Sequence, residues 1–474
     1  MTEGSKPQLS QTLAVIAGKI SAQAIRTLNL GLASNLPGKV SRKFSSSVLG
    51  ALASQARKGA LAVSGTNGKS TTSGLLASIL SKAELKLVHN RQGANLLTGI
   101  TACVVDASSW TGKLDADYCL FEIDEAALPV VAKEMQIQHV LVTNLFRDQL
   151  DRFGELDTTA RLISAGIKQN NSSAVLNADD PNVAQMVPDC QRLFYGIKSL
   201  DSGYCSTPAD QASPGNNVSI EANTTELSSC ANCGNEYEYT LRVYGQLGHY
   251  FCPSCKNTRP EPEVYAEDVQ THQSSSQFRL TYKDQSIDIE LPLPGMFNVY
   301  NAVAAAALSF KIGIPAEQIR NGLNKYSTLF GRSEKINING KHILIQLIKN
   351  PAGASQAVRA AAGDPNGKYL IAINDNYADG RDVSWLWDAD FEQLAQLRGP
   401  FVVSGQRCYD MAVRLKYAGV DPSVITVEPS LDRALDLALA NCAADDTLWL
   451  LPTYTCLLDL QKIMKARGHA LAGT

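Results

Sequence analysis

The sequence lacks any long apolar run, and no stretch of it approaches the roughly 20 consecutive apolar residues of a membrane-spanning helix. It also lacks a strong charge of either sign. Its net charge of −3 at pH 7 argues against non-specific binding to nucleic acid or to an anionic membrane. No export signal is recognisable at the start, so the 11 cysteines indicate a reducing cytoplasm and not a disulfide framework.

The chain is long enough for several domains. Its 474 residues, 45% of them hydrophobic, exceed what one compact core holds. We predict an N-terminal helical segment over residues 1–48, a central domain over 49–330 and a C-terminal domain over 331–474. Residues 1–44 have two open placements, against the core or toward a membrane. Residues 200–285 are polar and predict an insertion in the central domain.

From Leu61 onward, short β-type runs alternate with helical stretches. This order is typical of an α/β fold in which helices cover a parallel sheet. A second cycle after Gly331 predicts a separate, doubly wound C-terminal domain. The predicted strands cover residues 62–64, 118–123, 139–143, 173–176, 343–348, 369–373, 401–404 and 447–451. The predicted helices cover 71–81 and 298–310.

A glycine-rich motif joins the first predicted strand to the first predicted helix. In a phosphate-binding loop, the glycines let backbone N–H groups face phosphate oxygens, and the helix N-terminus adds a favourable dipole. Lys69 then supplies charge to the β and γ phosphates, and Ser70 offers a hydroxyl to Mg²⁺. The alternative is a βα turn with a chance lysine, which strand, helix and spacing together disfavour. The motif consists of Gly65, Thr66, Asn67, Gly68, Lys69, Ser70 and Thr71.

Four cysteines form two pairs with the spacing of a zinc ribbon, and we place this ribbon at about residues 225–262. Four thiolates complete a tetrahedron around Zn²⁺ and leave no position for water, which indicates a structural site. The alternative is buried free cysteine. Little basic character surrounds the pairs, which favours protein contact or simple stabilisation over nucleic-acid binding. The cysteines are Cys230, Cys233, Cys252 and Cys255.

The amino-acid sequence of the phosphate loop resembles that of the Mur ligase superfamily. Further blocks agree: Thr143-Asn144, residues 177–181, residues 294–298 with Asn301, and residues 331–334. The resemblance implies that Glu122 binds Mg²⁺ with Ser70, although a solvated strand-end glutamate is the alternative. It also implies that Asn298 and Asn301 lie at the adenine and that Arg332 reaches the ATP phosphates. Gln149 and Phe297 stand where the superfamily usually has histidine, so a second Mg²⁺ site stays open.

Within that superfamily the chain resembles the MurT family, the synthase subunits of lipid II isoglutaminyl synthase. The cysteine ribbon, residues 144–155 and residues 375–385 carry this resemblance. It implies ATP-dependent amidation of the D-glutamate α-carboxylate of lipid II, with ammonia from a separate GatD-type glutaminase. Lys69 and Glu122 would serve phosphoryl transfer. Asp382 would orient the catalytic histidine of the glutaminase, and its alternative role is a helix N-cap.

Two other functions are compatible with parts of this pattern. One is a self-contained Mur-type ligase that joins an amino acid to the activated carboxylate. The other is a non-catalytic ATP-binding scaffold whose zinc ribbon recruits a partner. The intact Lys69, Ser70 and Glu122 weigh against the scaffold. For the ligase, only about 45 residues precede the central domain, which is too few for the UDP-binding domain such ligases carry.

Overall fold

The fold is described from a computed structural model of the chain. For residues 332–335 the description covers the backbone alone. The described residues are 9–27, 35–90, 94–146, 156–201, 229–272, 275–326, 332–338, 340–364, 366–443 and 446–469.

Three helices open the described chain: α1 (Leu9–Thr27), α2 (Leu36–Phe44) and α3 (Val48–Ala53). Ala14 and Val15 on α1 are fully buried and belong to the same apolar cluster as residues of α3 and of the central sheet. One face of α1 therefore packs on the core.

The central sheet has nine strands in the order β11-β10-β9-β6-β5-β4-β1-β3-β2. Neighbours from β2 to β9 run parallel, while β9, β10 and β11 pair antiparallel at one edge. The strands of this sheet, together with the separate antiparallel pair β7 and β8, are β1 (Gly59–Ser64), β2 (Leu87–His89), β3 (Tyr118–Glu122), β4 (His139–Val142), β5 (Ser173–Asn177), β6 (Arg192–Ile197), β7 (Glu238–Tyr244), β8 (Leu247–Phe251), β9 (Val264–Thr271), β10 (Ser276–Tyr282) and β11 (Gln285–Leu291).

Helices cover both faces of this sheet because its parallel strands are apolar on both sides. Helices α4 and α9 and the antiparallel edge share one apolar cluster, and α1, α3, α5 and α6 share the other. Residues 302–308 of α9 are fully buried and mostly alanine, so this helix packs closely on the sheet. The helices are α4 (Lys69–Lys82), α5 (Leu97–Ala107), α6 (Leu128–Glu134), α7 (Leu156–Asn170), α8 (Pro181–Ala184), α9 (Met296–Lys311) and α10 (Ala316–Asn324).

The prediction that residues 200–285 form an insertion is wrong for the C-terminal part of this range. Residues 264–271 and 276–282 form β9 and β10, which belong to the main sheet. Ser276, Phe278 and Leu280 are buried, while Gln277 and Arg279 between them are exposed. An antiparallel strand with one solvated face alternates in this way and lacks the continuous apolar run that marked the parallel strands.

The C-terminal sheet has six strands in the order β12-β13-β17-β14-β15-β16. Apolar clusters lie on both of its faces, so the predicted doubly wound α/β architecture is confirmed. Its elements are β12 (Arg332–Ile338), β13 (Lys341–Gln346), α11 (Pro351–Ala362), β14 (Lys368–Ala372), α12 (Trp385–Asp388), β15 (Phe401–Ser404), α13 (Cys408–Tyr417), β16 (Ile425–Val427), α14 (Leu431–Ala440), β17 (Thr447–Pro452) and α15 (Tyr454–Ala466), with short 3₁₀ turns at Phe391–Leu394 and Pro422–Val424.

Of the helices in the described part of the chain, none combines the length and the apolar character that a membrane crossing requires.

Candidate active site

The phosphate loop lies between the end of β1 and the start of α4, as the motif predicts. Gly65 and Gly68 have φ angles of 118° and 82°, in the region that favours glycine. A Cβ atom on Gly68 would lie 2.1 Å from Asn301 Oδ1, so a side chain there would collide with α9. Both the backbone angle and the close approach of α9 therefore require glycine at position 68.

The end of β4 holds the loop in place. Asn144 Oδ1 accepts a hydrogen bond from Asn67 N over 2.9 Å, and Asn144 O accepts one from Thr66 N over 2.8 Å. Thr143 Oγ1 donates to Asn67 O over 2.7 Å. The Thr143-Asn144 block thus shapes the phosphate loop through neutral hydrogen bonds.

Lys69 begins α4 and forms a buried ion pair with Glu125, with 2.7 Å between Nζ and Oε1. Its ammonium group also donates to the carbonyls of Gly65 and Thr66. Burial alone would lower the pKa of Lys69, but the negative charges of Glu125 and Glu122 outweigh it and raise that pKa. Lys69 therefore keeps its positive charge at the loop. Glu125 was not among the predicted site residues, although it lies three residues after Glu122.

Ser70 and Glu122 meet beside Lys69. Ser70 Oγ donates to Glu122 Oε2 over 2.5 Å, and both side chains are buried. Asn90 positions the end of β3, since its side chain bonds both the N–H and the carbonyl of Glu122 over 2.9 and 2.8 Å. One hydroxyl and one carboxylate oxygen side by side suit Mg²⁺, which prefers oxygen ligands. The residues present therefore fit the predicted magnesium site.

Asn298 and Asn301 lie on the first turns of α9 and line a cavity of about 130 Å³ next to Gly68. Asn298 Nδ2 donates to Pro294 O over 2.8 Å, and Asn301 Oδ1 accepts a hydrogen bond from Thr72 Oγ1 over 3.2 Å. Phe297 lies at the cavity wall, where the superfamily usually has histidine. The two asparagines thus line a cleft that adjoins the phosphate loop and is well placed to bind a nucleoside.

The C-terminal domain closes this cleft. Asn350 Nδ2 donates to Asn67 Oδ1 over 2.9 Å, and Lys349 Nζ lies 3.4 Å from Thr66 O. Gln346, at the end of β13, lines the same cavity and pairs in the sheet with Arg332. The backbone thus places position 332 at the rim of the cavity, while the Arg332 side chain lies outside the described atoms. Neither Lys349 nor Asn350 was predicted.

Asp179 and Asp180, from the block over residues 177–181, are buried and serve the framework. Asp179 pairs with Arg259 over 2.6 Å and accepts a hydrogen bond from Tyr300 Oη over 2.6 Å. Asp180 accepts from the N–H groups of Leu145 and Asn182 over 2.8 and 3.0 Å. Burial raises the pKa of Asp180 to about 7, against the opposing effect of these N–H groups.

The four predicted zinc ligands come together at the base of the hairpin formed by β7 and β8. All four Sγ atoms lie within 4.8 Å of one another, and the Cys230–Cys255 and Cys233–Cys252 pairs are 3.4 and 3.5 Å apart. Zn–S bonds of about 2.3 Å require S–S separations of about 3.8 Å in a tetrahedron. The cluster therefore fits a four-thiolate metal site.

Asp382 lies on the C-terminal domain and is not among the residues that line the cavity. Its carboxylate accepts a hydrogen bond from Ser384 N over 2.8 Å, just ahead of α12. Hydrogen bonding by the side chain and then the backbone of Ser384 lowers the pKa of Asp382. Asp382 therefore shapes the turn before the helix, while Ser384 itself is the N-cap residue. The nearby Asp375 and Asp379 are engaged internally by Arg407 and Thr455, respectively.

Several predictions fall outside the described residues. These are the segment 147–155, including Gln149, and the Arg332 side chain.

Comparisons with known proteins agree with this geometry. The family models "Mur ligase middle domain" and "MurT ligase C-terminal" match residues 63–247 with 254–309, and residues 347–457, respectively. The MurT subunit of lipid II isoglutaminyl synthase from Staphylococcus aureus strain N315 is 33% identical over 88% of this chain and 90% of its own length. The Streptococcus pneumoniae R6 subunit is 33% identical over 97% of this chain and 98% of its own. The chain belongs to the MurT family.

The predicted family is thereby confirmed, and with it the prediction of an ATP-dependent ligase. Solved Mur ligases share the fold. A pseudomurein peptide ligase type C from Methanothermus fervidus has a TM-score of 0.63 at 23% identity, covering 87% of this chain and 79% of its own. MurF from Acinetobacter baumannii has a TM-score of 0.64 at 17% identity, covering 92% and 80%.

Proposed function

We propose that this MurT-family chain uses ATP to activate the α-carboxylate of D-glutamate in lipid II, which ammonia then converts to D-isoglutamine. The observation that carries the proposal is the cluster of Lys69, Ser70 and Glu122 at the phosphate loop, in a cleft closed by Asn350. The named activity of the MurT relatives, lipid II isoglutaminyl synthase, supplies the substrate.

The chemistry follows from the poor reactivity of a carboxylate, which would have to expel oxide. A carboxylate oxygen attacks the γ-phosphorus of ATP, the bond to the β-phosphate oxygen breaks, and ADP leaves. The nitrogen lone pair of ammonia then adds to the carbonyl carbon of the acyl phosphate. The C–O bond to phosphate breaks, inorganic phosphate departs, and a proton is released.

The protein contributes positioning and charge to this sequence. Lys69, kept positive by its carboxylate neighbours, faces charge that develops on the transferred phosphoryl group. Ser70 and Glu122 would hold Mg²⁺, which supplies further neutralisation of phosphate charge. Asn298 and Asn301 line the part of the cleft that we assign to the nucleoside. Arg332 of the C-terminal domain would contact the ATP phosphates. The four cysteines would hold Zn²⁺ as a structural ion.

Ammonia must arrive unprotonated, since ammonium has no free electron pair. We assign its supply to a partner glutaminase of the GatD type, which docks on the C-terminal domain. Asp382 lies ahead of Trp387, and α13 presents further exposed aromatic rings nearby in the fold. Exposed aromatic side chains favour a protein contact. The rings, with their exposed fractions, are Tyr377 (77%), Trp387 (54%), Tyr409 (67%) and Tyr417 (74%).

Asp382 is the carboxylate of this loop that suits a role toward the partner. Asp375 and Asp379 already hold Arg407 and Thr455, while the bond of Asp382 to Ser384 N leaves its carboxylate in a partly exposed turn. We propose that it orients the glutaminase histidine, as an aspartate does in a catalytic triad.

Reconstitution tests the proposal. The purified chain, a GatD-type glutaminase, ATP, Mg²⁺, glutamine and lipid II are combined, and the products are analysed by mass spectrometry. We expect amidated lipid II, lighter by about one mass unit, only when both proteins are present. An adduct formed by this chain alone with a free amino acid would establish a self-contained ligase instead. No ATP turnover in any mixture would support the non-catalytic scaffold.

A further inference from the structure

The hairpin of β7 and β8 joins the cysteine cluster to the nucleotide cleft. Cys230 and Cys233 precede β7, and Cys252 and Cys255 follow β8, so the cluster closes the open end of the hairpin. The other end, with its turn at Gly245, points back to the central sheet. The cluster and the turn therefore lie at opposite ends of one two-stranded unit.

The turn docks on the end of β4, next to the phosphate loop. Gln246 Nε2 donates to Leu145 O over 2.7 Å, and the Tyr244 ring stacks on Phe146 with 5.6 Å between the ring centroids. Phe146 N in turn donates to Thr66 Oγ1 over 3.1 Å. One chain of contacts thus runs from the hairpin turn to the phosphate loop.

Tyr244 is also a wall of the nucleotide cavity. It lines the same space as Gly68, Asn298 and Asn301, and its ring forms a T-shaped contact with Tyr300 on α9, with 5.7 Å between the ring centroids. Aromatic rings at the wall of a cavity stack on nucleobases whatever the base, because every base has a π-face. The side chain that the hairpin presents to the cleft is therefore suited to contact a nucleoside.

The base of the hairpin is anchored as well. Arg259, four residues after Cys255, pairs with the fully buried Asp179. Near the turn end of β8, Gly248 N donates to Asp179 O over 2.9 Å. A two-stranded hairpin is marginal by itself, and metal binding supplies folding free energy to units of this size. The metal would hold the two strands together between these anchors.

We propose that the cysteine ribbon is a working part of the nucleotide site: the metal-held hairpin positions Tyr244 against the nucleoside of a nucleoside triphosphate, so metal loss weakens nucleotide binding. This inference rests on the proposed function, since it requires the cleft to bind ATP. Tyr244 acts here by binding, and Gln246 by positioning it.

The test compares two ligands on the full chain with Mg²⁺ by titration calorimetry. ATP reports the phosphate and nucleoside contacts together, and inorganic tripolyphosphate reports the phosphate contacts alone. For Tyr244→Ala we expect ATP affinity to fall about tenfold, a typical loss of one stacking contact, and tripolyphosphate affinity to change less than about twofold. Tyr244→Phe retains the ring and should bind ATP like the parent. Glu238→Gln, an exposed change on β7, is the matched control.

Metal dependence is measured on the Cys233→Ser/Cys255→Ser double variant, with zinc content determined by a colorimetric chelator. We expect less than one zinc per chain and the same selective loss of ATP affinity, with the far-ultraviolet circular dichroism retained. Unchanged ATP affinity in a zinc-free, folded chain would overturn the inference. Equal losses for ATP and tripolyphosphate in Tyr244→Ala would also overturn it, because the phosphate loop itself would then have moved.

The two proposals fail in different ways. If the parent chain binds neither ligand, or if Lys69→Ala binds ATP as the parent does, the proposed function is wrong, and the inference that rests on it is wrong as well. If the parent binds ATP through Lys69 while Tyr244→Ala is unaffected, the inference alone falls. Should the cysteine variant fail to fold, the Tyr244 variants still decide the nucleoside contact.

Discussion

Asn350 of the C-terminal domain donates a hydrogen bond to Asn67 of the phosphate loop over 2.9 Å. The same side chain accepts from Gly353 N over 2.9 Å and so caps α11. A single residue therefore both begins a helix in one domain and closes the nucleotide cleft against the other.

The two roles of Asn350 can be separated by substitution. Asn350→Ala removes the cap, at a cost of about 1 kcal/mol in the free energy of unfolding, and removes the bridge to Asn67. Asn350→Asp retains a cap acceptor but has no N–H group to donate. We expect the KM for ATP to rise several-fold in both variants and the melting temperature to fall mainly in Asn350→Ala. An unchanged KM in both would show that the bridge is irrelevant to nucleotide binding.

The buried pair of Lys69 and Glu125 predicts that activity and stability respond differently to substitution. Lys69→Ala should lower kcat by about 10²- to 10³-fold, the scale of one lost oxyanion donor. It should also destabilise the fold by about 3–5 kcal/mol, because the Glu125 carboxylate is left buried without its partner. Adding Glu125→Gln should restore much of the stability, measured by urea unfolding, but none of the activity. Recovery of activity in the double variant would exclude the role given to Lys69.

Asp180 predicts a pH-dependent stability. Burial raises its pKa to about 7 in the folded state, whereas an unfolded aspartate has a pKa near 3.8. The folded chain therefore holds this proton more tightly than the unfolded chain does. The free energy of unfolding consequently falls by up to about 4 kcal/mol as pH rises from about 4 to about 7. Asp180→Asn should lack this part of the slope in unfolding free energies measured between pH 5 and 8. An identical slope in the variant would contradict the assignment.

The role proposed for Asp382 predicts that its substitution impairs only the glutamine-dependent amidation. In Asp382→Asn, amidation with glutamine should fall by at least about 10²-fold, since triad aspartates that orient histidine have effects of this size or larger. Amidation with ammonium salts at alkaline pH should be unaffected, because it needs no glutaminase. Asp388→Asn, a change of a neighbouring exposed carboxylate, is the control. Equal loss with glutamine and with ammonia would place Asp382 in the fold of this chain instead.

The sequence predicts best what is local. The phosphate loop, from Gly65 to Thr71, carries strand, glycines, lysine and helix within one short stretch, and the cysteine pairs carry their spacing. Glu125 had a comparable local signal, being three residues from Glu122 at the same strand end, but a lone glutamate does not reveal its partner.

The contacts that sequence reasoning missed join distant segments. Tyr244 and Asn350 reach the cleft from a hairpin and from another domain, and no periodicity near them indicates what they touch. Strands β9 and β10 were hidden for a different reason, since a half-solvated antiparallel strand alternates polar and apolar residues. Tertiary packing, which sequence patterns do not encode locally, determines these features.

An isotope experiment tests the central claim, activation of a carboxylate by the phosphate loop. Lipid II labelled with ¹⁸O in the D-glutamate α-carboxylate is amidated by the reconstituted pair with ATP, Mg²⁺ and glutamine. If an acyl phosphate forms, each turnover transfers one ¹⁸O from the carboxylate to inorganic phosphate, and mass spectrometry detects it there. Amidated product accompanied by unlabelled phosphate would contradict phosphoryl activation of the carboxylate.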